Sequence, residues 1–306
     1  MNAWRQALHR LRLERAWGIS HLRHDTARAQ RLLAELHPQQ QPPDESEADT
    51  RAQPAPTVAE SANAHATSAA AAPVATQVPA ESEPVHGDRD DHSANVKQRL
   101  TEMAEQVATC TRCHELRNRR RPAFSDGTPH TPLMFVGEAP GEQEDKAGVP
   151  FVGRAGQKLT EIIEKGLAHA IRQVCGLNEV QHVPRSSVYI ANVLKCRPPG
   201  NRDPKPEEVE NCREYLSGQI ALVRPVVICA LGLPASRRLL GVEHPMHKLR
   251  GRRFALPERE EITVVPTYHP SFLLQQYTAE NRRKVMEDVT EVVRVLDEAG
   301  AVPWWT

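Results

Sequence analysis

Four cysteines bracket an acidic, glycine-rich turn. Cys110-x2-Cys113 lies upstream of Gly137-Glu138-Ala139-Pro140-Gly141, and Cys196 and Cys212 lie downstream with fifteen residues between them. One tight pair and two spread thiols suit an iron-sulfur cluster, which takes four Cys and tolerates uneven spacing. Zinc sites more often join two close pairs, and the second pair here is not close. A cluster is therefore the preferred reading, zinc the second, and unrelated thiols the plainest. Of the two remaining cysteines, Cys229 sits in the apolar run Val226–Ala230 and reads as a small core residue, whereas Cys175 receives no role.

The elements that must position this chemistry follow from short apolar runs at 133–136, 188–194, 226–231 and 262–267, which read as buried strands. Helical patterns lie between and after them, at about 154–170, 205–221, 233–240 and 280–298, the second opened by Pro204 and Pro206. Such alternation implies a parallel sheet covered on both faces: a three-layer α/β/α sandwich around four parallel strands. Ligands bind such sheets at the carboxyl ends of the strands. The polar motifs fall there: Gly137 to Gly141 after the first strand, Asn192 and Lys195 to Arg202 after the second, and His269-Pro270-Ser271 after the fourth.

Charge and composition divide the chain of 306 residues into three segments. Residues 1–36 carry seven Arg against three acids, with Trp4, Leu8 and Leu11 at helical spacing; they read as a short helical docking module or an unpacked extension. Residues 37–92 contain eight Pro, ten acids and no Leu, Ile, Met, Phe, Trp or Tyr, so burial cannot offset their ordering entropy and a disordered linker is expected. Residues 93–306 form the globular body, with thirty Lys and Arg against twenty-six acids. That mild basic excess is compatible with a polyanionic partner but does not indicate one. No stretch approaches the roughly 20 apolar residues of a membrane helix, and the N-terminus lacks a signal-peptide core. A cytoplasmic monomer without a membrane partner is expected, and six Cys in ligand-like rather than framework spacing fit a reducing compartment.

Three blocks then appear in order. Gly137-Glu138-Ala139-Pro140-Gly141-Glu142-Gln143-Glu144-Asp145 continues to Pro150-Phe151-Val152-Gly153-Arg154; Ala191-Asn192-Val193-Leu194-Lys195-Cys196-Arg197-Pro198-Pro199-Gly200-Asn201-Arg202 follows; His269-Pro270-Ser271-Phe272-Leu273-Leu274 closes the set. Together they resemble the signatures of the family 4 uracil-DNA glycosylases over roughly residues 100–298, with all four cysteines at the family's cluster positions. The resemblance implies hydrolysis of the N-glycosidic bond of uracil in DNA, an abasic product and a structural 4Fe-4S cluster on Cys110, Cys113, Cys196 and Cys212.

The chemistry of that reaction assigns roles. Positive charge grows on the deoxyribose and negative charge on the departing base. His269 is placed to donate a hydrogen bond to uracil O2, as an oxyanion hole would. Asn192 offers the donor and acceptor that read the N3–H and O4 edge, and Phe151 offers a face on which the flipped base stacks. Ala139, Gly141 and Glu144 complete the expected substrate contacts. Glu138 is favoured over Glu144 for activating water. Lys195, Arg197 and Arg202, with the run Arg117 to Arg121, are expected on DNA phosphates. Ser271, Phe272 and Leu273 resemble the loop that wedges into the duplex.

The chain departs from the family 1 enzymes in carrying Ala139 where they carry Asp, and from the expected block in carrying Gln275 where Arg is common. The stretch 166–187 also looks longer than the family's usual helix-to-strand connection. Two readings from other classes compete: a uracil- or damage-binding DNA protein with little turnover that recruits partners through residues 1–36, and an electron-transfer protein built on the cluster.

Overall fold

The computed structural model describes residues 88–305. The expected helical segment 1–36 and most of the expected linker 37–92 lie outside the described residues. The end of that linker does not: α1 spans Asp88–Thr109, so helix begins inside the segment expected to be disordered.

Six strands make one mixed sheet in the order β1-β3-β2-β4-β6-β5. The four central strands, β3 (Tyr189–Asn192), β2 (Leu133–Gly137), β4 (Val227–Leu231) and β6 (Arg259–Thr267), run parallel. The sequence reading found these four and missed the two edges, β1 (Asp126–Gly127) and β5 (Phe254–Leu256), which pair antiparallel. β1 is two residues long and β5 carries a register shift, so neither has an apolar period to detect. The three-layer class stands; the sheet is mixed rather than purely parallel.

β2 and β4 are buried at every position, as strands covered on both faces must be. Alternate residues then feed two cores. Met134, Val136, Ala191, Ile228 and Ala230 pack with α1, with α5 (Pro206–Val223) and with α6 (Leu233–Leu240). Leu133, Phe135, Ile190, Val227 and Cys229 face the opposite layer. Cys229 is fully buried there, as its apolar run predicts.

That second layer is α3 (Arg154–Glu161), a π-helical segment (Ile162–Leu167) and α4 (Ala168–Cys175), joined end to end and packed on α9 (Ala279–Glu298). The helix therefore continues five residues beyond the expected end at 170, and much of the long 166–187 connection is helix. The remaining short helices are α2 (Glu142–Ala147), α7 (Met246–Leu249) and α8 (Pro270–Gln275).

Candidate active site

The carboxyl ends of β2, β3, β4 and β6 open into a cavity of about 490 Å³ lined by Glu138, Phe151, Asn192, Asp203, Gly232 and His269. Ala139, Gly141, Glu144, Arg202 and Ser271 also reach it. Residues more than a hundred positions apart thus meet because parallel strands place their C-termini on one rim.

Gly137 and Asn192 sit side by side in the β2–β3 register. Pairing continues past the strand ends: Val193 N–H donates to Gly137 O at 2.9 Å and Leu194 N–H to Glu138 O at 2.9 Å. This holds Glu138 one residue beyond the Gly137–Asn192 pair, level with Val193. A Cβ on Gly137 would stand 2.4 Å from Phe151 Cζ and 2.5 Å from Asn192 Oδ1, so only glycine lets the ring and the amide approach each other.

Asn192 is 1% exposed, and its Oδ1 is buried with no hydrogen-bond partner among the described residues. A buried amide oxygen left unpaired costs roughly 1–3 kcal/mol. Such an atom facing a cavity marks a place where a ligand donor belongs.

Phe151 is held from three sides. Its backbone adopts φ 56°, in the left-handed region, and a Cβ on Gly156 would fall 1.9 Å from its carbonyl oxygen. The following turn is clamped by Glu144, whose Oε1 accepts from Val152 N–H at 2.9 Å and Gly153 N–H at 2.8 Å, while Oε2 accepts from Gly141 N–H at 3.2 Å. Glu144 therefore orders both walls of the cavity. With both oxygens engaged by backbone donors, it is poorly placed to activate water.

Glu138 differs. Burial, then repulsion from Asp203, pushes its carboxyl up to about 7. A base so tuned is matched to neutral pH.

His269 caps α8, with Nδ1 accepting the backbone N–H of Ser271 at 3.2 Å and lying 2.7 Å from Ser271 Oγ. The backbone N–H can only donate, so Nδ1 is an acceptor and the neutral ring carries its proton on Nε2. Burial pulls the imidazole pKa down to about 4, against a smaller opposing pull from Glu144, which keeps the ring neutral at physiological pH. The Phe151 and His269 rings lie 5.8 Å apart.

Burial corrects two of the expected DNA contacts, Lys195 and Leu273, and the others have partners within the protein. Lys195 is fully buried, its Nζ donating to Asn192 O at 2.7 Å and to Gln219 Oε1, and cannot reach a phosphate. Burial pulls its ammonium down to about 8. Arg202 is bidentate to Glu208, at 2.9 and 2.5 Å, and also binds Glu115 at 2.8 Å. Arg197 donates to Asn201 Oδ1 at 2.7 Å. Within the Arg run, Arg119 bonds the carbonyls of Val107, Ala108 and Cys110, and Arg117 that of Thr111. The expected wedge is the helix α8: Leu273 is 3% exposed in the core, half-buried Phe272 stacks on Tyr268 at 4.4 Å, and the Ser271 hydroxyl serves His269. Glycine contacts and the Glu144 clamp were missed by the sequence reading; the three-residue offset Gly141 to Glu144, a capping-box spacing, was the available signal.

Cys110, Cys113, Cys196 and Cys212 converge on a separate small cavity of about 20 Å³, with Leu194, Lys195, Asn211 and Tyr215. All four are free thiols. Lys195 N–H donates to Cys212 Sγ at 3.4 Å and Asn211 Nδ2 to Cys113 Sγ at 3.7 Å. Burial pushes the Cys196 thiol up to about 12 and raises those of Cys113 and Cys212 as well. No three ligating side chains among the described residues close around a single ion.

A rim of this kind, on an α/β fold, brings together an unpaired amide, a neutral donor imidazole, an aromatic face and a poised carboxyl, the groups that could hold one small planar polar ring. Comparison with known proteins agrees. The family profile described as Uracil DNA glycosylase superfamily matches residues 124–292. The chain is 39% identical over 199 residues to the type-4 uracil-DNA glycosylase of Thermotoga maritima, covering 65% of this chain and 95% of that protein. It is 37% identical to that of Sulfurisphaera tokodaii, covering 64% and 84%, and 35% identical to that of Archaeoglobus fulgidus, covering 63% and 91%. The chain belongs to the uracil-DNA glycosylase superfamily and, within it, to the type-4 enzymes.

Proposed function

We propose that this chain removes uracil from DNA by hydrolysing its N-glycosidic bond, leaving an abasic site. The observation that carries the reading is the buried, unpaired Oδ1 of Asn192 beside Phe151 and His269 in one cavity. Asn192 Oδ1 accepts uracil N3–H while Nδ2 donates to O4; cytosine presents the inverse pattern and is rejected. Phe151 stacks on the ring. His269 Nε2–H donates to O2 as charge builds there, and a neutral imidazole does so without giving up its proton.

Glu138, in its ionised form, orients and deprotonates the attacking water. Its raised pKa has a signed consequence: the base is active only when deprotonated, so kcat rises with pH through about 7 and levels above it. Glu138→Gln is expected to lower kcat by about a hundredfold and to abolish that rise. A pH–rate profile on a uracil oligonucleotide reads both, and an unchanged slope in the variant would assign the base elsewhere.

The cysteine cavity fits a 4Fe-4S cluster better than a zinc ion. Its donors are four thiols, one close pair and two spread, with N–H groups directed at two of the sulfurs. The cluster would hold the loops after β3 and before β1 against α5, a structural duty in a hydrolytic reaction. Cys196→Ala is expected to lose the visible absorbance of the bound cluster and to lower Tm, since metal binding is coupled to folding. Normal absorbance in that variant would exclude Cys196 as a ligand.

DNA phosphates fall to exposed cations, Arg154 beside the cavity residue Ala155 and Arg120 and Arg121 of the basic run, in place of Lys195. No helix among the described residues is long and apolar enough to cross a membrane, and the free thiols favour the reducing cytoplasm. Residues 1–36 act as a docking module for a protein partner on an acidic tether. Deleting residues 1–87 is expected to leave uracil excision within about twofold, because the described residues that line the cavity run from Glu138 to Ser271. A collapsed rate on a short oligonucleotide would give that segment a catalytic role. A uracil oligonucleotide assay tests the whole proposal: alkali-labile scission supports it, whereas tight binding without an abasic product favours a damage-binding protein.

A further inference from the structure

Lys195 is fully buried, and the acceptors of its ammonium are neutral oxygens. Every polar atom it has is nonetheless engaged. Its Nζ donates to Asn192 O at 2.7 Å and to Gln219 Oε1. Its carbonyl accepts from Ala123 N–H at 2.8 Å, and its own N–H donates to Cys212 Sγ at 3.4 Å. Gln219 is fixed in turn, its Nε2 donating to Phe124 O at 3.0 Å and to Tyr189 Oη at 3.1 Å, which turns Oε1 toward the ammonium.

One residue therefore touches both sites. Lys195 lines the cysteine cavity, and the carbonyl it holds belongs to Asn192, which lines the base cavity. Pinning that carbonyl fixes the peptide plane after Asn192, and with it the direction from which the side-chain amide enters the cavity. A buried cation without a carboxylate also needs compensating negative charge nearby, and the sulfurs of Cys196 and Cys212, thiolates once a cluster is bound, would be the adjacent source. The sequence reading placed this lysine on DNA; its burial assigns it inward.

We propose that Lys195 is a positioning residue that couples the two sites, holding the base-reading Asn192 from behind while its ammonium serves as counter-charge to the cysteine-bound cluster. The inference rests on the base-reading role of Asn192 and on the cluster proposed above. It goes beyond them in joining the two through one side chain. Removing a cation beside the thiolates destabilises the more negative, reduced cluster, so the reduction potential moves down.

The test is Lys195→Met in the full, cluster-loaded chain, a change that keeps length and removes charge. Expected are retained cluster absorbance, a more negative reduction potential, and a kcat on uracil DNA lowered by about tenfold to a hundredfold. KM and affinity for DNA bearing an abasic-site analogue should stay at wild-type values. An unchanged potential with unchanged kcat overturns the inference, and so does a parallel loss of kcat and abasic-DNA affinity, which marks a general folding role. Should Lys195→Met not hold a cluster, Gln219→Glu supplies the second arm: a carboxylate draws the ammonium from Asn192 O, and wild-type kcat in that folded variant overturns the coupling. Asn192→Ala run alongside separates the two levels. Intact uracil turnover there sinks the base reading itself, whereas its loss with normal Lys195→Met and Gln219→Glu turnover sinks the coupling alone.

Discussion

Asn192→Ala is expected to lower kcat on uracil-containing DNA by about a thousandfold while affinity for abasic-site DNA changes by less than about twofold. The asymmetry follows from where the side chain points. Its Oδ1 has no partner within the protein, so alanine breaks no hydrogen bond of the free enzyme at that atom and removes only what the extruded base supplies. The variant should fold at least as well as the parent, because an orphaned acceptor is gone. Single-turnover kinetics, with binding to an abasic analogue measured separately, check the split. Equal losses in both would mean that Asn192 clamps backbone rather than reads a base.

His269→Ala should cost about a hundredfold to a thousandfold in kcat, the range for removing one donor from a developing oxyanion. The donor is preset: Ser271 N–H occupies Nδ1, the proton stays on Nε2, and burial keeps the ring neutral with its pKa pulled to about 4. Two consequences separate this from general acid catalysis. Apart from the rise set by Glu138, the wild-type profile should show no loss of activity as pH climbs through the ordinary histidine value of about 6.5, and replacing uracil by a base with a more acidic leaving nitrogen should shrink the defect. A profile that falls as pH rises through 6 to 7 would require a protonated imidazole and overturn the assignment.

The scaffold was legible because its signals are local. β2 and β4 are unbroken apolar runs, and burial on both faces needs nothing else. β1 and β5 escaped because an edge strand of two or three residues is defined by its partner, not by its own period. The helix expected over about 154–170 runs on to Cys175, where Gly176 in the left-handed region ends it.

The site divides in the same way. Glu138, Phe151, Asn192 and His269 were assigned from motifs, and the cavity brings all four together. The surroundings of the cations were not legible, and Lys195 is buried rather than exposed. Lys195, Arg197 and Arg202 lie in one basic run, but the partners that neutralise or bury them, Gln219, Asn201, Glu208 and Glu115, are set by packing and reach as far as 87 residues along the chain. Glu144 looked like a second acid until its three backbone donors were in view.

Residue types and their order determined on their own which reactions this protein has the groups to perform, and which strands carry those groups to a common edge. Tertiary structure alone decided which charges stay free for DNA, which oxygen is left waiting for a ligand, and which lysine lies between two cavities. The reason is physical: apolar period is written in neighbouring residues, whereas the state of a polar group depends on how far water is excluded and on what stands within hydrogen-bond reach, and both are set by parts of the chain remote in order.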